Sequence, residues 1–146
     1  MDAGATGTGP TIAETLADWI TAAPPIPPPC EAMAGRLLLD VAGLCVAARG
    51  ETYVQAVLGS AEPGERCTVI GQNRGFGAYD AALVNGTAAH GEDFDDTFEG
   101  GPVHSGAVVV PAVLAACERE RLGGPALLRG IVVGAEMMCR LSLVAP

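Results

Sequence analysis

The sequence predicts an all-α domain of about six helices. Three features carry that expectation: apolar residues recur at helical spacing in six stretches, proline and glycine punctuate the gaps, and a single short β-branched stretch, Cys67 to Ile70, reads as extended. The first ten residues, rich in Gly and Thr, are expected to be a disordered tail, with the helical domain running from 11 to 146.

The first helix opens at Thr11. Thr11-Ile-Ala-Glu14 has the form of a capping box, in which the threonine oxygen and the glutamate satisfy each other's backbone donors. Ile12, Leu16, Trp19, Ile20 and Ala23 share one face, and Pro24-Pro25 stop the helix because proline lacks an N–H and clashes with the preceding turn. A stiff proline stretch leads into a longer helix from about Pro29 to Ala48, with Met33, Leu37, Val41, Leu44 and Ala48 as its inward stripe.

Thr52 to Ala61 forms a shorter helix with Val54, Val57, Leu58 and Ala61 inward. Cys67 to Ile70 has no obvious partner strand and reads as a connector. Ala78 to Ala89, rich in small residues, suits a closely packed helix with Leu83 and Val84 on its inner side. A helix is expected from Ser105 to Arg121, its regular part starting only near Pro111, with Val110, Val113, Leu114 and Cys117 inward. Gly124-Pro125 opens the last helix, to about Val144. It carries a row of Leu128, Ile131, Ala135, Met138 and Ser142, an i,i+4 pair of Glu136 and Arg140, and two glycines, Gly130 and Gly134, that suggest a close helix contact.

Bulk properties narrow the function classes. A chain of 146 residues that is 49% hydrophobic and 17% charged has enough apolar surface for one folded core. A formal charge of -9 opposes the counterion release that nucleic-acid binding depends on, so no nucleic-acid partner is expected. All eight basic residues are arginine, which excludes a Schiff-base lysine supplied by this sequence. The five cysteines are an odd set without close pairs and read as reduced thiols. The start lacks a basic n-region and an apolar h-region, and the most hydrophobic stretch, Ala107 to Cys117, is too short to span a bilayer; a cytoplasmic location without membrane contact is expected.

One segment stands out for chemistry. His90-Gly-Glu-Asp93-Phe-Asp95-Asp96-Thr97-Phe-Glu-Gly-Gly-Pro-Val-His104 holds both histidines and the densest run of acids. If the run from His90 is helical, His90, Asp93 and Thr97 share a face with Asp96 beside them and Asp95 turned away, and the glycines before Pro102 let His104 return to the same place. Three readings fit these residue types: a solvated loop whose aspartates cap a helix, a divalent metal site, or a metal-free acid–base site acting on a carboxylic acid.

The stretch Ala82-Leu-Val-Asn-Gly-Thr-Ala-Ala-His-Gly-Glu-Asp-Phe-Asp-Asp-Thr97, continued by His104-Ser-Gly and Val109-Val-Pro-Ala-Val-Leu-Ala115, resembles the signature of the MmgE/PrpD family. The likeness extends from Leu16-Ala-Asp-Trp19 to Val133-Gly-Ala-Glu136 and Arg140. It implies the amino-terminal helical part of a larger two-domain fold. The implied reactions are lyase-type, dehydration or decarboxylation of a small polycarboxylic acid such as 2-methylcitrate or cis-aconitate, with no metal and no organic cofactor.

Carried over residue by residue, the resemblance gives His104, Asp93 and Thr97 as catalytic and His90 and Asp96 as substrate-binding residues. Ser105 departs from the proline that the family commonly has after the histidine. The site's lysines have no counterpart here, so a missing carboxy-terminal domain or second subunit is expected as partner, and a homo-oligomer is expected as well. The net negative charge would repel a polycarboxylate unless the site gathered cationic groups locally or took them from such a partner. The alternative is a non-catalytic truncated remnant or a helical oligomerisation module.

Overall fold

The computed structural model describes residues 9–22 and 25–144. The expected tail falls largely on residues 1–8, and Ala23 and Pro24 are likewise outside the described residues. Six helices carry the fold, in the order α1 (Ile12–Thr21), α2 (Pro28–Ala48), α3 (Thr52–Ser60), α4 (Ala78–His90), α5 (Ser105–Glu120) and α6 (Gly124–Val144). A two-stranded antiparallel ribbon, β1 (Pro63–Thr68) with β2 (Gly75–Phe76), sits between α3 and α4.

The local start signals act as expected. Glu14 N–H donates to the Thr11 hydroxyl oxygen at 3.2 Å, and Thr11 N–H donates to Glu14 Oε2 at 2.8 Å, completing the capping box of α1. The stripe of this helix, however, does not reach the core. Ile12 is 79% exposed, Trp19 39%, and α1 buries no residue. Periodicity identifies an apolar face but not the surface that covers it.

The core lies between α2, α4, α5 and α6, with α3 and the ribbon packed at its edge. On α2 the buried row is Ala34, Val41, Cys45 and Ala48, which keeps Val41 and Ala48 of the expected stripe and brings in Ala34 and Cys45. Met33 is exposed and Leu44 only half-buried, because the face turned to α4 is set by the smaller residues that let the helices approach. Of the other core residues expected, Ile131 is buried, whereas Leu37, Leu114 and Met138 are half-buried. On α4 Val84 points inward and Leu83 outward.

Cys67 to Ile70 does have partners. Cys67 faces Phe76 across the ribbon, and beyond its end the buried Asn85 of α4 stands in for a strand. Asn85 Oδ1 accepts from Ile70 N–H at 2.8 Å and Asn85 Nδ2 donates to the Thr68 carbonyl at 2.8 Å, so its amide satisfies backbone that the two-residue β2 cannot reach.

Helix α5 is regular from Ser105, earlier than expected, with Pro111 in its interior. Proline deprives the Ala107 carbonyl of its intrahelical donor. That carbonyl faces Gly86 of α4, where a β-carbon would lie 3.0 Å from it. The other side of α5 packs against the two glycines of α6: a β-carbon on Gly130 would meet Val113 Cγ1 at 2.5 Å, and one on Gly134 would meet Val109 Cγ1 at 2.5 Å. Both glycines are therefore packing devices, and α6 sits so close to α5 that a β-carbon at either position would have to displace a valine side chain. Among the described residues no helix is long and apolar enough to cross a membrane, and all five cysteines are free.

Candidate active site

Helix α4 ends at His90, and the chain then turns instead of continuing. Gly91 is needed here for space and not for its dihedrals: the ring of Tyr53 lies where a β-carbon would be, and the Tyr53 hydroxyl donates to Glu92 Oε1 at 3.0 Å. Asp93 follows with φ of 56°, a left-handed residue that reverses the backbone. The helical spacing that would have aligned His90, Asp93 and Thr97 is thus broken within three residues of His90.

The consequence is an exchange of roles among the aspartates. Asp95, expected to turn away, points inward with its side chain fully buried. Its carboxylate lies 3.0 Å from His90 Nδ1 and 3.4 Å from His104 Nδ1, between the two imidazoles. The rings meet edge to face, with centroids 4.8 Å apart. Only the His90 contact has hydrogen-bond geometry, and His104 Nδ1 is a buried nitrogen without a hydrogen-bond partner.

Asp96 does not face the histidines. Its Oδ2 accepts from the Ser105 hydroxyl at 2.7 Å and its Oδ1 accepts from Gly106 N–H at 2.7 Å, so both oxygens are engaged at the start of α5. This is a helix cap supplied from nine and ten residues upstream, and it holds His104, the residue just before the helix. Ser105, which departs from the family's usual proline, provides one of the two donors.

The remaining expected residues lie further out. Asp93 is 78% exposed at the side chain, and its Oδ1 stands 3.9 Å from His104 Nε2, a rim position. Thr97 is exposed and does not line the cavity described below, because the turn at Asp93 carries it off the face it would have shared with His90. The site that forms is therefore His90, Asp95 and His104 with Asp93 at its edge. Sequence reasoning missed Asp95 and Asn85; the second lies inside the quoted Asn-Gly-Thr motif, yet nothing in the motif reveals that its amide binds the chain at Thr68 and Ile70.

His90 and His104 open onto a cavity of about 780 Å³ between α4, the Pro102–His104 segment and α5, with Met138 of α6 closing one side. Apart from the two imidazoles, no ionisable side chain but the phenol of Tyr79 lines it. An imidazole beside a buried carboxylate is oriented for proton transfer, and one at a cavity wall can act on a bound molecule. The same residues could hold a divalent ion: one ligand atom each from His90, Asp93, Asp95 and His104 lie within 4.8 Å of one another.

Comparison with known proteins gives this geometry a context. Residues 14–146 match the model of the MmgE/PrpD N-terminal domain. The chain is 34% identical over 137 residues to the cis-aconitate decarboxylase-like protein oryM of Aspergillus oryzae, covering 86% of this chain and 28% of that protein. It is 41% identical over 86 residues to a cis-aconitate decarboxylase of Aspergillus terreus, covering 56% of this chain and 17% of the relative. The chain thus spans less than a third of the length of these curated relatives.

Proposed function

The chain belongs to the MmgE/PrpD family, and from that premise we propose that it supplies the proton-transfer half of a lyase site for a small polycarboxylic acid. The reaction is a dehydration or decarboxylation of a 2-methylcitrate- or cis-aconitate-like substrate. The observation that carries the reading is the His104–Asp95–His90 cluster, whose two imidazoles line a cavity, inside the segment matched by the family.

In such a reaction a carbon next to a carboxylate gains or loses a proton as water or carbon dioxide leaves. His104 is the group assigned to move that proton, through Nε2, the nitrogen on the Asp93 side of the ring. Asp95, with no exposed side chain, holds the His90 imidazole by its hydrogen bond and lies near enough to His104 to stabilise positive charge on either ring; Asp93 accepts from a substrate hydroxyl at the rim. Thr97 would contact a substrate carboxylate from outside the cavity, in a position that the rest of the enzyme must help define. His90 contributes a second hydrogen bond to the acid.

Oriented cationic donors are the usual means of stabilising the developing enolate, and no lysine or arginine lines the cavity. The positive charge must then come from further chain or a second subunit. The test is turnover of cis-aconitate and 2-methylcitrate by this chain alone and after addition of the remaining portion of a family enzyme. Inactivity alone, activity when supplemented, and loss of that activity in His104→Ala are expected. Supplemented activity that survives His104→Ala would remove the proposed proton carrier.

A further inference from the structure

His90 ends α4, Asp93 and Asp95 lie in the turn after it, and His104 stands just before α5, yet one ligand atom from each lies within 4.8 Å of the other three. Donors held about 2.0–2.2 Å from a tetrahedral ion stand roughly 3.3–3.6 Å from one another. The inner part of the cluster is already near that spacing: Asp95 Oδ1 is 3.0 Å from His90 Nδ1 and 3.4 Å from His104 Nδ1. Asp93 Oδ1, 3.9 Å from His104 Nε2, is the member that must move to close the set, and a side chain 78% exposed is free to do so. Two further features point to a cation. His104 Nδ1 is a buried nitrogen without a hydrogen-bond partner among the described residues, an atom that an ion would satisfy. The donors include two carboxylates, Glu92 adjoins them in the chain, and no lysine or arginine lines the cavity beside them, so nothing local repels positive charge.

We propose that His90, Asp93, Asp95 and His104 form a site for a zinc-class dication, and that this ion is an inhibitor of the site and not its resident cofactor. Two imidazoles with two carboxylates suit zinc, cobalt(II) or nickel(II), whereas magnesium and calcium take six or more oxygen donors. As the ion enters, the proton held between His90 Nδ1 and Asp95 passes to solvent, and both imidazoles bind as neutral ligands. A ring bonded to a dication neither takes up nor passes on a second proton, so an occupied site holds His104 out of proton transfer. That consequence rests on the lyase reading; the ion site stands on the four donors alone.

The test is titration of the untagged 146-residue chain with cobalt(II) chloride, followed by visible absorption, and with zinc chloride by isothermal titration calorimetry. Saturation at one ion per chain, displacement of cobalt by zinc and persistence in excess magnesium are expected. His90→Ala and His104→Ala, checked for folding by circular dichroism, should each weaken binding about tenfold or more, since even the outer partners of metal ligands carry about 10- to 100-fold. Asp93→Asn, an exposed substitution that tolerates the left-handed backbone, should weaken it as well. Cys30→Ser removes the exposed thiol and should leave binding unchanged. Absence of saturable binding overturns the proposal. So does binding that the three ligand substitutions leave intact, that Cys30→Ser abolishes, or that magnesium displaces. In the supplemented enzyme, zinc should stop turnover and EDTA should restore it; turnover that continues with the site filled overturns the inhibitory role. Binding as described in a supplemented enzyme that never turns over sustains the ion site and counts against the lyase reading alone.

Discussion

Asp96→Ala separates a cap from a ligand-binding residue. In the structure the Asp96 carboxylate accepts two hydrogen bonds, both at 2.7 Å, from Ser105 Oγ and from Gly106 N–H, and both donors belong to buried residues at the first turn of α5. Truncation leaves Gly106 N–H without an acceptor in a place water does not reach, which costs about 1–3 kcal/mol. The serine hydroxyl can rotate to another acceptor and contributes less. Loss of a negative charge at the helix start adds about 0.3–1 kcal/mol. The expected total is roughly 2–4 kcal/mol, or a fall in Tm of about 6–12 °C at some 3 °C per kcal/mol for a domain of this size.

Asp96→Asn should cost only about 1 kcal/mol, since its carbonyl still accepts from Gly106 N–H and its amide can donate to Ser105. Urea unfolding followed by circular dichroism measures both variants. Because His104 directly precedes the capped turn, Asp96→Ala should also shift the His104 ring signals in NMR, a change that a stable folded protein with a solvent-facing Asp96 would not show. An alanine variant within 0.5 kcal/mol of the parent, or an asparagine variant as unstable as alanine, would refute the capping argument and return Asp96 to the pool of substrate ligands.

Other outcomes follow from the same geometry. Gly134→Ala puts a β-carbon against Val109 and should destabilise by about 1–3 kcal/mol, with Val109→Ala recovering part of it in a double-mutant cycle; additivity of the two changes would contradict the contact. Burial raises the Cys45 thiol from 9.0 to about 11. The unfolded thiol therefore releases its proton before the folded one does, and stability should fall as pH rises between these values. At about 1.4 kcal/mol per pH unit the loss is of the order of 3 kcal/mol. Cys45→Ala should make that slope shallower, the raised thiols of Cys67, Cys117 and Cys139 supplying the remainder, and a slope that Cys45→Ala leaves unchanged would refute the assignment to Cys45. Finally, overnight dialysis against EDTA should leave supplemented lyase activity intact; activity lost to the chelator and regained with a divalent ion would assign His90, Asp93, Asp95 and His104 to a metal instead.

The helices and their ends were legible in the sequence because the signals are short-range. The Thr11–Glu14 box, the proline-rich entry to α2 and the Gly130–Gly134 spacing each depend on atoms a few residues apart, and each takes the expected form. The family likeness was legible for the same reason, as a continuous run of residue types. Burial was read less well. Trp19 and Met33 lie on faces that helical period makes apolar, yet what covers a face is decided by the shape of other elements.

The candidate site divides along that line. That His90 and His104 meet near carboxylates could be expected from the acid-rich segment and its glycines. Which carboxylate they share could not. Side-chain direction between His90 and His104 follows from the left-handed backbone at Asp93 and from a cap in which Asp96 reaches ten residues along the chain to Gly106. Neither leaves a periodic trace. The sequence by itself determined the helical segments, the family and the residue types available for proton transfer, since these are fixed by local geometry and composition. Only the tertiary structure decided that Asp95 turns inward, that Asp96 serves the helix and that Thr97 stays outside, because one dihedral with positive φ rotates every later side chain of a turn away from the face that helical spacing would assign it.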